Sequence, residues 1–137
     1  MNAYVDASVV LRIILGEPEP VPSWSTIDVA VSSELVRLEC LRTIDRARLH
    51  GGLTDVDVAR QRSFVLDLVE RFDLVPVSSP ILERAAQPFP TTIGSLDAIH
   101  LASALAIAEQ YEDMRFLTHD RGLALAARAM GFTVEGA

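Results

Sequence analysis

The stretch "SLDAIHLASAL" (residues 95–105) consists mostly of small and apolar residues, and this pattern predicts a helix packed inside the protein. Its third residue, Asp97, places a carboxylate in the first turn of that helix. Burying an unpaired carboxylate is costly, so Asp97 needs a partner. The partner could be a helix N-terminus, a cation from elsewhere in the chain, or a metal ion.

Short apolar segments alternate with helical patterns on both sides of this helix. Strands are predicted at "AYVDA" (3–7), "DVAVSS" (28–33), "DLVPVS" (73–78), "MRFLTHD" (114–120) and "FTVEG" (132–136). Helices are predicted at 8–15, 33–50, 55–72, 79–86, 95–110 and 121–131. The alternation favours an α/β fold with a parallel sheet covered on both faces, in one domain spanning residues 1–137.

Two long helices follow one another in the middle of the chain without a strand between them. Thr54 and Asp57 predict a capping box at the start of the second helix. We expect a helical hairpin that projects from the sheet or packs across one side of it. Its apolar residues exceed what one stripe against a sheet requires, which favours a partner-binding surface; they are Leu35, Leu38, Leu41, Leu49, Phe64 and Leu68. The alternative is that the hairpin packs only on its own core or in a homodimer.

The composition limits the possible chemistry and location. The formal net charge is −7, the wrong sign for a generic nucleic-acid binder. All 12 basic residues are arginines, so no mechanism can use a catalytic lysine. The single cysteine, Cys40, excludes an internal disulfide and fits a reducing cytoplasm. We expect no membrane span and no signal peptide, because no apolar run is long enough and the N-terminus lacks a basic region.

Four carboxylates stand at matching places in this pattern. Asp6 ends the first strand, Asp120 follows the fourth, and Asp97 and Glu39 lie near the starts of helices. Sites form at the carboxyl ends of strands in open parallel sheets, so these elements could converge. Clustered carboxylates repel one another unless a cation joins them, and oxygen ligands favour Mg²⁺ or Mn²⁺.

Two of these carboxylates could instead serve helix ends. Asp6 could cap the helix that follows it, a role that Ser8 could share. Asp97 could simply suit the positive end of its helix, with Ser95 as the cap. His100, three residues later on the same helix face, is interpreted as a packed or capping histidine, with contact to the site as the alternative.

The other two carboxylates also have ordinary interpretations. Asp120 could be a turn residue, and Glu39 could pair with Arg42 on the helix surface. At 100° per residue, Glu39, Arg42 and Arg46 fall within roughly 60° of one another on a helix. The arginines could therefore clamp phosphate groups of a ligand beside the site, or form solvated salt bridges instead. The joint position of the four acids favours a metal site.

Four sequence blocks between Ala3 and Phe132 resemble the motifs of PIN-domain ribonucleases, in particular VapC toxins of toxin–antitoxin pairs. They are "YVDAS", "SSELVRLECLR", "SLDAIHLASAL" and "FLTHDRGLALAARAMGF". The resemblance implies a three-layer α/β/α fold and RNA cleavage with Mg²⁺ or Mn²⁺. It implies site carboxylates and neighbouring hydroxyls at Asp6, Glu39, Asp97, Asp120, Ser8 and Thr118. Glu34 is a second acid in its block, but the spacing to "CLR" favours Glu39.

The resemblance also implies partners: an RNA substrate, a VapB-like antitoxin that inserts basic and apolar residues into the groove, and a second copy in a homodimer. A phosphatase with Asp6 as nucleophile is disfavoured, because Lys is absent and Ser8 replaces the second Asp of haloacid-dehalogenase-like enzymes. A non-catalytic peptide- or RNA-binding module with an acidic pocket remains the alternative.

Overall fold

A computed structural model describes all residues 1–137. Five strands form: β1 (Asn2–Val5), β2 (Val29–Ser33), β3 (Asp73–Val75), β4 (Arg115–Leu117) and β5 (Val134–Glu135). Six helices connect them: α1 (Ala7–Ile14), α2 (Leu35–Leu49), α3 (Asp55–Glu70), α4 (Ser79–Ala85), α5 (Ser95–Ile107) and α6 (Arg121–Ala129). Every predicted element forms, although α5 ends at Ile107 and a 3₁₀ turn continues to Gln110.

The five strands form one parallel sheet in the order β3-β2-β1-β4-β5. Strand β1 lies in the centre, and the chain proceeds to one side through β2 and β3 and to the other through β4 and β5. The order reverses between β1 and β4, where Val5 is in register with Leu117. A reversal of this kind leaves a crevice outside the carboxyl ends of the strands.

Helices cover both faces of the sheet, so the predicted three-layer α/β/α architecture is confirmed. One core packs α1, α2 and α3 against the face that carries Ala3 and Val5. The other core packs α4, α5 and α6 against the face that carries Tyr4. Successive residues of β1 thus enter opposite cores, as the two-residue period of a strand requires.

The α2–α3 hairpin packs across the first face of the sheet instead of projecting from it, burying Val36, Cys40 and Ile44 from α2. Some of its apolar residues stay outside this core, namely Leu38, Leu49 and Phe64, with exposures of 56%, 66% and 44%. The other three residues of the predicted surplus, Leu35, Leu41 and Leu68, are half-buried. None of the helices is long and apolar enough to cross a membrane.

Of the helix caps predicted for α3 and α5, one forms and the other does not. Thr54 and Asp57 form the predicted reciprocal capping box of α3. Ser95, however, does not cap α5: Gly94 occupies the N-cap position, and Ser95 is already the first helical residue. Glycine is accepted at an N-cap almost as readily as serine, so the sequence leaves a one-residue ambiguity there. Asp97 therefore lies at the third helical position, still within the first turn.

Candidate functional site: an acidic cavity at the carboxyl edge of the sheet

A cavity of about 630 Å³ opens at the carboxyl edge of the sheet, where the strand order reverses. Four carboxylates line it: Asp6, Glu39, Asp97 and Asp120. The polar lining includes Ser8, Thr43, Arg42 and Arg46, and the apolar lining is Ala7, Leu11, Leu38 and Leu96. The elements carrying the four acids are therefore brought together in the arrangement that the sequence predicted.

Asp6 follows β1 directly and is buried, with 4% of its surface exposed. Its Oδ2 accepts hydrogen bonds from Ser8 Oγ at 2.6 Å and from Thr118 Oγ1 at 2.9 Å. Although Asp6 occupies the N-cap position of α1, its side chain makes no capping hydrogen bond. The capping alternative is wrong for this residue, and its carboxylate instead faces the cavity, fixed by two hydroxyls.

The same hydroxyls fix the loop that follows β4. The backbone N–H of His119 donates to Ser8 Oγ at 2.9 Å, and that of Asp120 donates to Thr118 Oγ1 at 3.0 Å. Ser8 and Thr118 thus connect the end of β1 to the end of β4, which places Asp6 and Asp120 on one wall.

Asp120 lines the cavity and also caps a helix, a role that the sequence analysis did not predict for it. Its Oδ1 accepts a hydrogen bond from the backbone N–H of Leu123 at 2.8 Å, which caps α6. The residue is exposed and also lines the cavity. Because a carboxylate has two oxygens, one can serve the helix while the other remains available to the cavity.

Glu39 extends from α2 into the cavity and accepts a hydrogen bond from His100 Nε2 at 2.5 Å. The proposed surface pair between Glu39 and Arg42 does not form, since Arg42 pairs with Asp45 at 3.2 Å. The acid that competed with Glu39 lies elsewhere: Glu34 accepts from the backbone N–H of Val77. The preference for Glu39 over Glu34 as a cavity residue is therefore consistent with the geometry.

His100 is the site residue that sequence reasoning undervalued. It is completely buried, and its Nδ1 lies 2.8 Å from the Tyr4 hydroxyl. Burial disfavours the charged ring, but the hydrogen bond to Glu39 and the charges of Asp6 and Asp97 outweigh it, so the pKa of His100 is raised. The available signal was its spacing of three residues from Asp97, which places both on one helix face.

The neighbouring carboxylates of the cavity repel the charge on Asp97. Burial, followed by repulsion from Asp120 and Asp6, raises the pKa of this carboxyl from 3.8 to about 6, and nearby His100 only partly offsets these effects. A bound divalent cation would remove this repulsion, and the oxygen-only donor set fits Mg²⁺ or Mn²⁺. No three acidic, His or Cys side chains are preassembled as a metal cluster, so a cation would have to draw the carboxylates closer together.

The two candidate RNA-binding arginines both line the cavity from α2. Arg42 is 62% exposed and makes the salt bridge to Asp45, so the ordinary salt-bridge interpretation is confirmed for it. Arg46 is exposed and forms no salt bridge. Arg46 is thus the arginine available to a ligand entering the cavity.

Comparison with known proteins identifies the family and agrees with this fold. The PIN domain family matches residues 3–129, so the chain belongs to the PIN-domain family. It is 31% identical to Ribonuclease VapC47 of Mycobacterium tuberculosis (strain CDC 1551 / Oshkosh), over 94% of this chain and 92% of the relative. It is 28% identical to Ribonuclease VapC46 of Mycobacterium tuberculosis (strain ATCC 25618 / H37Rv), over 96% of this chain and 94% of the relative.

Proposed function

We propose that this protein is a metal-dependent endoribonuclease and the toxin component of a toxin–antitoxin pair. The observation that carries the proposal is the convergence of four carboxylates from separate elements on one cavity, at the strand-order reversal of a PIN-family sheet. The two relatives of similar length, both named ribonucleases, support the same activity.

The four carboxylates would hold one or two Mg²⁺ or Mn²⁺ ions. When bound, such an ion activates water for attack on the phosphodiester and offsets the charge that develops on the phosphate. Asp6 is the best-fixed ligand, because Ser8 and Thr118 orient its Oδ2 and leave Oδ1 free of hydroxyl partners. Asp97 stands on a packed helix, which keeps its carboxylate in position.

RNA would approach over α2, because Arg46 lies on the cavity wall and has no carboxylate partner. Its guanidinium would bind a phosphate next to the scissile one and so position the strand without reading its sequence. Part of the net charge of −7 comes from the four cavity carboxylates, which a metal would offset. The overall acidity of the chain therefore does not oppose RNA binding at this cavity.

A VapB-like antitoxin would block the same cavity. Acidic residues surrounded by Leu38 and Leu96, exposed by 56% and 50%, suit a peptide that carries both basic and apolar side chains. The exposed Phe64 and Leu49 of the hairpin offer further apolar surface to an antitoxin or to a second copy in a homodimer. The lone, buried Cys40 supports a cytoplasmic location for the pair.

In the decisive experiment, the purified protein is incubated with total cellular RNA in Mg²⁺ or Mn²⁺, and the cut sites are mapped. Asp6→Asn should abolish cleavage and retain the wild-type circular dichroism spectrum, whereas Asp67→Asn, on the exposed side of α3, should cleave normally. EDTA should stop the reaction. RNA binding without turnover would favour the non-catalytic module, and full activity of Asp6→Asn would contradict the proposed site.

Expression in bacteria tests the toxin role separately. The wild-type chain should arrest growth, and an antitoxin encoded beside its gene should restore it. Asp97→Asn should not arrest growth. If this variant is as toxic as the wild type, then RNA cleavage is not the cause of arrest.

A further inference from the structure

His100 joins the two helical layers of the molecule at the edge of the cavity. It belongs to α5, which covers one face of the sheet, and its Nε2 contacts Glu39 of α2, which covers the other face. The ring is completely buried, whereas the Glu39 side chain is 20% exposed. A buried, rigid donor therefore holds the inner end of a carboxylate that otherwise borders open solvent.

The chemistry of the partners fixes the direction of these hydrogen bonds. An ionised Glu39 carboxylate can only accept, so Nε2 of His100 must carry the proton and donate it. In the neutral ring, Nδ1 then accepts from the Tyr4 hydroxyl, which lies 2.8 Å away. In the imidazolium form the Tyr4 oxygen accepts instead. Both forms keep the same donor aimed at Glu39.

Tyr4 holds the other end of this chain in place. Its ring is completely buried, stacks on Phe116 with centroids 5.2 Å apart, and meets the His100 ring edge-on at 5.9 Å. A tyrosine in such surroundings has no freedom to move away from Nδ1. The imidazole is therefore fixed by packing as well as by its two hydrogen bonds.

We infer that His100 is a positioning residue that holds the Glu39 carboxylate on the cavity wall beside Asp6, ready to bind a divalent cation. The same Nε2 lies 3.7 Å from Asp6 Oδ1, so its N–H dipole lies between two carboxylates that would otherwise repel each other. Glutamate has three rotatable bonds, and without this donor Glu39 would turn towards solvent. The inference rests on the proposed function for the identity of the cation.

The test compares two substitutions that differ in the donor they leave. His100→Leu removes it, whereas His100→Gln keeps an amide N–H at a similar reach from the backbone. We expect His100→Leu to weaken Mn²⁺ binding, measured by calorimetry, by roughly 10- to 100-fold, and to lower kcat for RNA with little change in KM. His100→Gln should recover most of the Mn²⁺ affinity. The control is His50→Leu, which changes an exposed histidine outside the cavity and should alter neither Mn²⁺ affinity nor kcat.

A double-mutant cycle with Glu39→Gln shows whether His100→Leu lowers Mn²⁺ affinity through Glu39. If His100 acts through Glu39, then His100→Leu should cause little further loss of Mn²⁺ affinity once Glu39 is neutral. Independent, additive losses in the cycle would overturn the inference. Wild-type Mn²⁺ affinity in a folded His100→Leu variant would also overturn it.

A measurement on the unmodified protein keeps the inference testable if His100→Leu does not fold. Ring ¹⁵N NMR of the wild type should show a proton on Nε2 of His100, and a neutral ring that is bare at Nε2 would overturn the inference. Absence of RNA cleavage by the wild type would refute the proposed function, but Mn²⁺ affinity would still decide the role of His100. A wild type that binds no Mn²⁺ would overturn both.

Discussion

Replacing Asp97 with Asn should stabilise the metal-free protein. The pKa of this carboxyl is raised from 3.8 to about 6 by burial and by the charges of Asp120 and Asp6. The full difference between these pKa values corresponds to about 3 kcal/mol. Asp97 is only half-buried, so solvent screening reduces this value, and we expect a gain of about 1–2 kcal/mol in the free energy of unfolding.

The gain must depend on pH in a definite direction. Below pH 3.8 Asp97 is protonated in both the folded and the unfolded state and contributes nothing. Between pH 3.8 and about 6 the unfolded chain releases the proton while the folded protein retains it, so wild-type stability falls as the pH rises. Above pH 6 the cost is complete. The advantage of Asp97→Asn should therefore be small at pH 4 and reach its full value at pH 7.5.

Urea unfolding in EDTA at pH 4 and pH 7.5 measures this difference directly. Asp67→Asn, an exposed change on α3, should alter the free energy of unfolding by less than about 0.5 kcal/mol at either pH. Added Mn²⁺ should reverse the order at pH 7.5, because it stabilises the protein that binds it more tightly. Repulsion at Asp97 is refuted if Asp97→Asn is less stable than wild type at pH 7.5 without metal, or if its advantage does not change between the two pH values.

Three further substitutions test other parts of the structure. Arg46→Glu should weaken RNA cleavage and antitoxin binding together and reduce the salt slope of RNA binding by about 1, at an unchanged melting temperature. The control Arg128→Glu, on the opposite helical layer, should change neither cleavage nor antitoxin binding. If Arg46→Glu leaves both cleavage and antitoxin affinity unchanged, then the binding surface lies elsewhere. Thr54→Ala should cost about 1 kcal/mol in urea unfolding through loss of the capping box, and no loss would mean that solvent replaces it. Gly136→Ala should cost about 1–2 kcal/mol, because φ is +104° and a Cβ would collide with the Thr118 carbonyl; an unchanged urea midpoint would contradict that contact.

Local sequence patterns predicted the layers of this fold because each element carries its own period. Alternation in β1 sends Tyr4 to one core and Val5 to the other, and the capping box marks the start of α3. Position along the pattern also placed Asp6 and Asp120 correctly, since the carboxyl ends of parallel strands share one edge. Leu38 is exposed whereas Leu41 is half-buried. The sequence could not predict this difference, because it depends on where α3 packs against α2.

The partners of the site residues depend on contacts that no local pattern encodes. Glu39 and His100 are 61 residues apart and meet only because α2 and α5 flank the same end of the sheet. The sequence therefore offered Arg42, three positions further along the same helix, as the partner of Glu39. Likewise, Ser8 and Thr118 are 110 residues apart, and only the pairing of β1 with β4 brings both to Asp6.

If the four carboxylates hold a divalent cation, anomalous diffraction from crystals soaked in Mn²⁺ should locate it. We expect a manganese peak inside the cavity, about 2.0–2.2 Å from an oxygen of Asp6 and from an oxygen of at least one of Glu39, Asp97 and Asp120. The peak should disappear in Asp6→Asn crystals. A cavity without manganese at saturating concentration, in protein that still cleaves RNA, would show that these carboxylates are not the metal ligands.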